Sequence, residues 1–307
     1  MDKCNVGEKM RKISLIIAIL LVVCLVGCAN HKNNDDINVY DYYSGEQRES
    51  TDSDIIYLWN KGNMPMVTNY TENNGNYFDD PDFEPYMTIY NVPEGTKVKG
   101  AMLVSPGGAF MFRSENTEGK EVAEAFAKEG YISFVVHYRV RPYTERESGI
   151  DIARAIKIVR SKSKEYGINE EKIAVVGFSA GGIANGRAVL EFGGKINASL
   201  LDSNYIADKI DETSSMPNAV IMGYSFYGRL SVADLNESTF KDFDLPPTYY
   251  VYGTEDPFYN QFNAQVDLLN NLNKNIESKV LNKYPHGFGV RGDWVSLIDD
   301  WLDEVYK

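Results

Sequence analysis

The chain has 307 residues, is 43% hydrophobic and 24% charged, and contains 25 Gly and 11 Pro. That composition belongs to a globular protein with a packed core and excludes collagen-like, coiled-coil and wholly disordered architectures; the length suits two average domains or one α/β domain behind a shorter segment. With 44 acidic against 31 basic residues the formal charge is −13, which argues against a nucleic-acid partner, since a phosphate backbone calls for clustered cations.

The three cysteines are Cys4, Cys24 and Cys28, so no disulfide framework or cysteine-based zinc site is expected beyond residue 28. The chain opens with Lys3, Lys9, Arg11 and Lys12 and then runs apolar from Ile13 to Val26, interrupted by Ser14. This is a signal-peptide pattern, and the run of about 14 residues is shorter than the ~20 a spanning helix needs. It ends in Leu25-Val26-Gly27-Cys28, which resembles the bacterial lipoprotein signal, with the Cys28 thiol as the lipid acceptor. Residues 1–27 are expected to be removed. That loss takes more cations than acids, so attachment to a negative membrane surface is expected to come from acyl chains rather than from a basic patch.

From 28 to 53 the sequence is rich in Asn, Asp, Ser and Tyr with little periodicity and reads as a lipidated tether. Order is expected from 54 onward, beginning with the strand-like run IIYLW. The following NMPMVTNYTENNGNYFDDPDFEP reads as a surface wrap, and Tyr86 to Val92 as a second strand closed by a Pro93-Glu94-Gly95 turn. Strands and helices then alternate. Gly100 to Ser105, Tyr131 to Tyr138, Lys172 to Val176, Ala219 to Ser225, Thr248 to Tyr252 and Ser278 to Tyr284 have strand character. Glu115 to Glu129, Ile150 to Tyr166, Ala180 to Glu191, Gln261 to Asn273 and Trp294 to Tyr306 have helical spacing. Such alternation predicts an α/β domain over 54–307 with a mainly parallel sheet covered on both faces and functional loops at the carboxyl ends of the strands.

Between the strand KIAVV and the next helix stands Gly177-Phe178-Ser179-Ala180-Gly181-Gly182, a GxSxG match in the strand, sharp turn, helix context of a nucleophile elbow. A serine hydroxyl needs a base. Of the three histidines, His31 falls in the tether and His137 within a strand, while His286 follows a strand and precedes Gly287; elimination and position make His286 the candidate. A carboxylate must orient the imidazole. Asp256 lies in the loop immediately after the strand TYYVY, one strand before His286, and is preferred to its neighbour Glu255. The oxyanion of acyl transfer requires donors: the amide of Ala180 is one candidate, and Gly108 and Ala109, in Pro106-Gly107-Gly108-Ala109-Phe110 after the strand GAMLVS, are the others. Arg139, Arg141, Asp151 and Arg154 read as structural ion pairs, and no metal or cofactor site is expected.

From about Ile55 to Trp301 the chain resembles carbohydrate esterases of the α/β-hydrolase fold, particularly the bacterial acetyl-esterase and acetylxylan-esterase-like group. The matching stretches are IIYLWNKGNMP, VSPGGAF, VVHYRVRPY, DIARAIKIVRSKSKEYGINEEKIAVVGFSAGG, LPPTYYVYGTEDP and YPHGFG. The order Ser179, Asp256, His286 is the one that fold uses. The resemblance implies a metal-free acyl-enzyme mechanism and an acetyl or related acyl ester of plant-type carbohydrate, such as xylan or its oligosaccharides, as substrate. Two departures bear on acyl preference: Pro106 stands where the family often has histidine with Ala109 in place of a third glycine, and Ile183-Ala184-Asn185 replaces a frequent histidine.

Three other readings compete. A small-ester carboxylesterase or lipase would favour a larger apolar cap than the polar segment Leu201 to Pro217 offers. A serine peptidase of the prolyl-oligopeptidase type would carry a large accessory domain, for which 29–100 is too short. A non-catalytic glycan-binding surface lipoprotein would be expected to have an eroded triad. An extracytoplasmic, lipid-anchored enzyme is the expectation, with no oligomeric state assigned.

Overall fold

The computed structural model describes residues 55–307. The expected signal peptide, Cys28, His31 and the tether lie outside the described residues. An eight-stranded sheet runs in the order β1-β2-β4-β3-β5-β6-β9-β10. Its strands are β1 (Ile55–Tyr57), β2 (Tyr86–Tyr90), β3 (Gly100–Ser105), β4 (Tyr131–His137), β5 (Ile173–Phe178), β6 (Ala219–Gly223), β9 (Thr248–Gly253) and β10 (Ile276–Leu281); a two-stranded ribbon, β7 (Gly228–Arg229) with β8 (Val232–Ala233), stands apart. β1 and β2 are antiparallel to their neighbours and all other pairs in the large sheet are parallel.

Every residue of β3, β4, β5, β6 and β9 is buried, which is why these strands read as near-continuous apolar runs rather than alternating ones. The exposed edge, β10, instead carries Glu277 and Lys279, charges that discourage pairing with another chain. The helices are α1 (Glu121–Glu129), α2 (Glu145–Ser161), the short α3 (Ser163–Tyr166), α4 (Ala180–Leu190), α5 (Glu237–Phe240), α6 (Tyr259–Asn271) and α7 (Trp294–Val305). From β3 the chain crosses one way to β4 and then back over to β5, so right-handed crossovers put α1 and α2 on opposite faces. α4 packs beside α2, and α7 beside α1.

Among the boundaries that differ from the periodicity, two bear on the site. The stretch Glu115 to Glu129 is not one helix: a π-helical turn, Glu115–Lys120, precedes α1, and it buries Glu118 toward the sheet's carboxyl end. α2 starts five residues before Ile150, because the Thr144 hydroxyl accepts from the Glu147 amide while the Glu147 carboxylate accepts from Thr144, a capping box. Glu147 also accepts from the amides of Val67 and Thr68 (3.1 Å each) and from the Thr68 hydroxyl (2.6 Å), which fastens the 60–85 wrap to α2. The wrap is further held by a two-pronged pair between Arg113 and Asp79 at 2.7 and 2.8 Å.

The arginines divide differently from the expectation. Arg139 pairs with Asp151 at 2.8 Å, buried, whereas Arg154 turns to Asp208. Arg141 is exposed and meets no carboxylate among the described residues. The polar segment 201–217 is correspondingly laid along α2, with Tyr205 edge-on to Trp59. It does not line the cleft over Ser179, so it is not the cap the sequence reading took it for.

Candidate active site

β5 delivers the chain to Ser179, whose φ of 48° and ψ of −118° lie outside the ordinary L-residue regions, and α4 begins at the next residue. Backbone strain of this kind persists only where surroundings enforce it. Here the Ser179 amide donates to the Gly223 carbonyl (3.1 Å), and its carbonyl accepts from Gly182, Ile183 and the Ser225 hydroxyl. A Cβ on Gly181 would collide with the Ser105 and Pro106 carbonyls; the absence of a side chain there lets the elbow lie against the end of β3.

The turn aims the Ser179 Oγ at His286, with Oγ and Nε2 3.0 Å apart. On the other side of the ring, Nδ1 lies 2.7 Å from the Asp256 Oδ2, and Oδ1 of Asp256 accepts from the Phe258 amide at 2.8 Å. A carboxylate can only accept, so His286 Nδ1 carries the proton and Nε2 offers its lone pair to the serine hydroxyl. Burial acts to lower the pKa of the His286 imidazole, but the charge and hydrogen bond of Asp256, with a smaller contribution from Glu118, outweigh it and hold the value above the ordinary one. Asp256 is buried whereas Glu255 is exposed, so Asp256 is the carboxylate brought to the ring. His137 is placed elsewhere, its two ring nitrogens 3.0 Å from Glu115 and 3.1 Å from Thr88, and its face stacked on Tyr86.

Opposite the elbow, Gly108, Ala109 and Phe110 take φ values of 133°, 55° and 57°. At Gly108 a Cβ would strike the Phe112 carbonyl, so only glycine fits. Four of the loop's five carbonyls are engaged: Pro106 by the Tyr138 hydroxyl, Gly107 by Ser114, Gly108 by Met111 and Phe112, Phe110 by Arg141. The amides of Gly108 and Ala109 donate to no group among the described residues, and Ala109 lines the cleft that holds Ser179 and His286. The Ala180 amide lies in the first turn of α4, where amides have no intrahelical acceptor. Unspent donors beside a nucleophile are what an oxyanion requires.

Sequence reading missed Glu118 and Tyr224. Glu118 is buried, accepting from the Gly107 amide at 2.7 Å and from the Tyr224 hydroxyl at 2.6 Å. Burial raises its pKa, partly offset by those two bonds. Tyr224, at φ 38°, sets its ring edge-on to His286 at 4.8 Å, and its hydroxyl oxygen accepts from the Gly289 amide at 3.4 Å. One carboxylate thus links the oxyanion loop to the histidine loop. Behind that loop Trp294 packs on Phe126 and Phe178 and donates its indole N–H to the Gly289 carbonyl at 2.9 Å.

The cavity over Ser179 is about 20 Å³ and is walled by Ala109, Ile183, Tyr224, Phe226, Leu230 and Phe258. No group of three or more metal-ligating side chains occurs among the described residues.

A mainly parallel sheet with a serine elbow after its central strand, and with histidine and carboxylate on later loops, defines the α/β-hydrolase fold, and this chain has it. Residues 87–224 match the BD-FAE family model. The chain is 32% identical over 108 residues to an acetylxylan esterase of Xylanibacter ruminicola, 35% of this chain and 22% of the relative. It is 28% identical over 171 residues to endo-1,4-beta-xylanase B of Butyrivibrio fibrisolvens, 54% of this chain and 25% of the relative. The chain therefore spans about a quarter of the length of these two curated relatives. Among solved structures, an acetyl ester-xyloside bifunctional hydrolase from Caldicellulosiruptor lactoaceticus superposes with a TM-score of 0.63 at 24% identity, covering 82% of this chain and 96% of that one.

Proposed function

We propose that the protein is a serine esterase that removes acetyl groups from plant-type carbohydrate, such as xylan or its oligosaccharides. The observation that carries this is the continuous chain Ser179, His286, Asp256 at 3.0 and 2.7 Å, facing the unspent amides of Gly108 and Ala109. The names of the acetylxylan esterase and xylanase relatives support the substrate class.

In this reading the Ser179 hydroxyl proton passes to His286 Nε2 as Oγ bonds to the acetyl carbon. The imidazolium that forms is stabilised by Asp256, and the carbonyl oxygen takes up negative charge facing the amides of Gly108, Ala109 and Ala180. Collapse breaks the bond to the sugar oxygen, which leaves with the proton from Nε2. Water, deprotonated by the same nitrogen, then releases acetate and restores Ser179. Each oxyanion donor contributes about 3 kcal/mol to the transition state.

The narrowness of the cavity supports a small acyl group. About 20 Å³ between Ile183, Phe226, Leu230 and Phe258 is room for little more than one water-sized group, which suits the methyl of acetyl and not a cinnamoyl ring. A general carboxylesterase would accept longer acyl chains with equal ease. A panel of acetylated xylo-oligosaccharides, p-nitrophenyl acetate and butyrate, methyl ferulate, triacetin and a Gly-Pro-amide, run with wild type and Ser179→Ala, tests this. Hydrolysis of the peptide alone, or of ferulate in preference to acetate, overturns it. For location, we read residues 1–27 as a signal and Cys28 as a lipid attachment point that holds the 54–307 domain outside the cytoplasm through the 28–53 tether; the motif Leu25-Val26-Gly27-Cys28 supports this.

A further inference from the structure

A second cavity, of about 320 Å³, lies beside the cleft over Ser179 and is lined by Tyr77, Phe110, Arg141, Tyr143, Thr144 and Glu145. It is at the lower end of the ~300–1,000 Å³ typical of small-molecule sites. Two connections make it the neighbour of the triad. Phe110 follows Ala109, which lines the cleft, and the Glu145 carboxylate accepts from the amide of Leu230, another cleft residue, at 3.2 Å.

Its lining is unlike the rest of the surface. Tyr77 leaves 42% of its area exposed and is held edge-on by Tyr70 at 5.4 Å, which in turn meets Tyr143 at 5.8 Å, so an aromatic ring is presented to solvent on a fixed support. The phenol oxygen of Tyr143 is buried and has no hydrogen-bond partner among the described residues. The two charges differ in what they already do. Glu145 is spent on Leu230 and on Arg187, 3.3 Å away. The Arg141 side chain is exposed and meets no carboxylate among the described residues, although Arg113, Arg139 and Arg154, nearby in sequence, are all paired. In a chain of net charge −13, an unpaired guanidinium between aromatic walls is a specific attractor for a planar anion on a ring that can stack.

We propose that this cavity is a sugar subsite on the leaving-group side of the ester and that Arg141 tunes it to a carboxylate-bearing sugar, a uronate unit of an acetylated oligosaccharide. The ring stacks on Tyr77 and its carboxylate pairs with Arg141 while the acetyl group reaches Ser179. This rests on the esterase reading above and names its substrate more narrowly.

The test compares acetate release from acetylated xylo-oligosaccharides with and without glucuronic acid branches, using wild type, Arg141→Ala, Arg141→Lys and Tyr77→Ala, with p-nitrophenyl acetate as the probe of the triad alone. Arg141→Ala should raise KM for the acidic substrate about tenfold, an effect that shrinks as salt is added. It should leave the neutral substrate and p-nitrophenyl acetate within about twofold. Arg141→Lys should recover part of the loss, and Tyr77→Ala should raise KM for both oligosaccharides. If acetylated oligosaccharides are cleaved but Arg141→Ala affects acidic and neutral ones alike, or affects neither, the subsite assignment is wrong while the esterase reading stands. If p-nitrophenyl acetate is cleaved and no oligosaccharide is, the carbohydrate reading fails first and the subsite with it.

Discussion

Replacing Glu118 probes how the two halves of the site are held in register. Its carboxylate accepts the Gly107 amide and the Tyr224 hydroxyl, one on each oxygen. Glu118→Ala removes both acceptors in a fully buried place, and each group deprived of its partner costs about 1–3 kcal/mol, so a loss of about 2–6 kcal/mol in unfolding free energy is expected. The oxyanion loop relaxes as well. The positive φ at Gly108, Ala109 and Phe110 is then held by the carbonyl hydrogen bonds alone, and a misplaced donor lowers kcat by about 10²-fold or more. Glu118→Gln keeps the shape and one acceptor oxygen, so its stability should stay within about 1.5 kcal/mol of wild type. It loses the negative charge that helps raise the His286 pKa, and the acid limb of its kcat/KM profile should move to lower pH. Urea unfolding and p-nitrophenyl acetate kinetics on both variants read these effects. An Ala variant matching wild type in stability and kcat, or a Gln variant as damaged as Ala with its acid limb unmoved, would refute the coupling.

Asp256→Asn should lower kcat by about 10⁴-fold, because the imidazolium loses its partner, and should shift the acid limb downward, since Asp256 is the main influence holding the His286 pKa up; in wild type that limb should lie above the ordinary imidazole value. Stability should fall on acidification. Burial would push both Glu115 and Glu147 up, but His137 and Arg113 hold Glu115 down at about 2, and the hydrogen bonds from Thr68 and Thr144 lower Glu147. Depressed carboxylates stabilise the fold above their unfolded values near 4.5 and lose that contribution as pH falls through the folded ones. Unfolding followed by circular dichroism between pH 6 and pH 2 should show it, and Glu147→Gln should flatten the dependence. Trp294→Ala, which removes the support behind the histidine loop, should cost about 3–5 kcal/mol, measured as a drop in urea midpoint. Cys28→Ala should move the protein from the membrane fraction to the soluble one on fractionation of expressing cells; retention in the membrane would contradict lipid attachment.

Much of the site was legible because its signals are local. GxSxG between a strand and a helix, an aspartate and a histidine each just past a strand, and a pair of glycines after β3 are short-range features with definite backbone consequences. The residues the structure brings together at Ser179, His286 and Asp256 are the ones those features single out. Glu118 was not legible, because its partners Gly107 and Tyr224 are 11 and 106 residues away and a glutamate in a helical stretch ordinarily faces water. The signal for the start of α2 was present in Thr144-Glu145-Arg146-Glu147, a capping-box pattern, but apolar spacing alone pointed to Ile150. The segment 201–217 was misread for a different reason. Polarity suggested a solvent-facing cap, whereas Asp208 and Asp211 serve Arg154 on α2, a pairing that no local pattern announces.

The central claim is that Ser179 carries the acyl group between two half-reactions. Mass spectrometry of the protein quenched during turnover of p-nitrophenyl acetate should find one acetyl group, on the peptide containing Ser179, in wild type and not in Ser179→Ala, whose kcat should be lower on the order of 10⁶-fold. Acetate release by Ser179→Ala at the wild-type rate, or an acetyl group found on another residue in its place, would contradict the account.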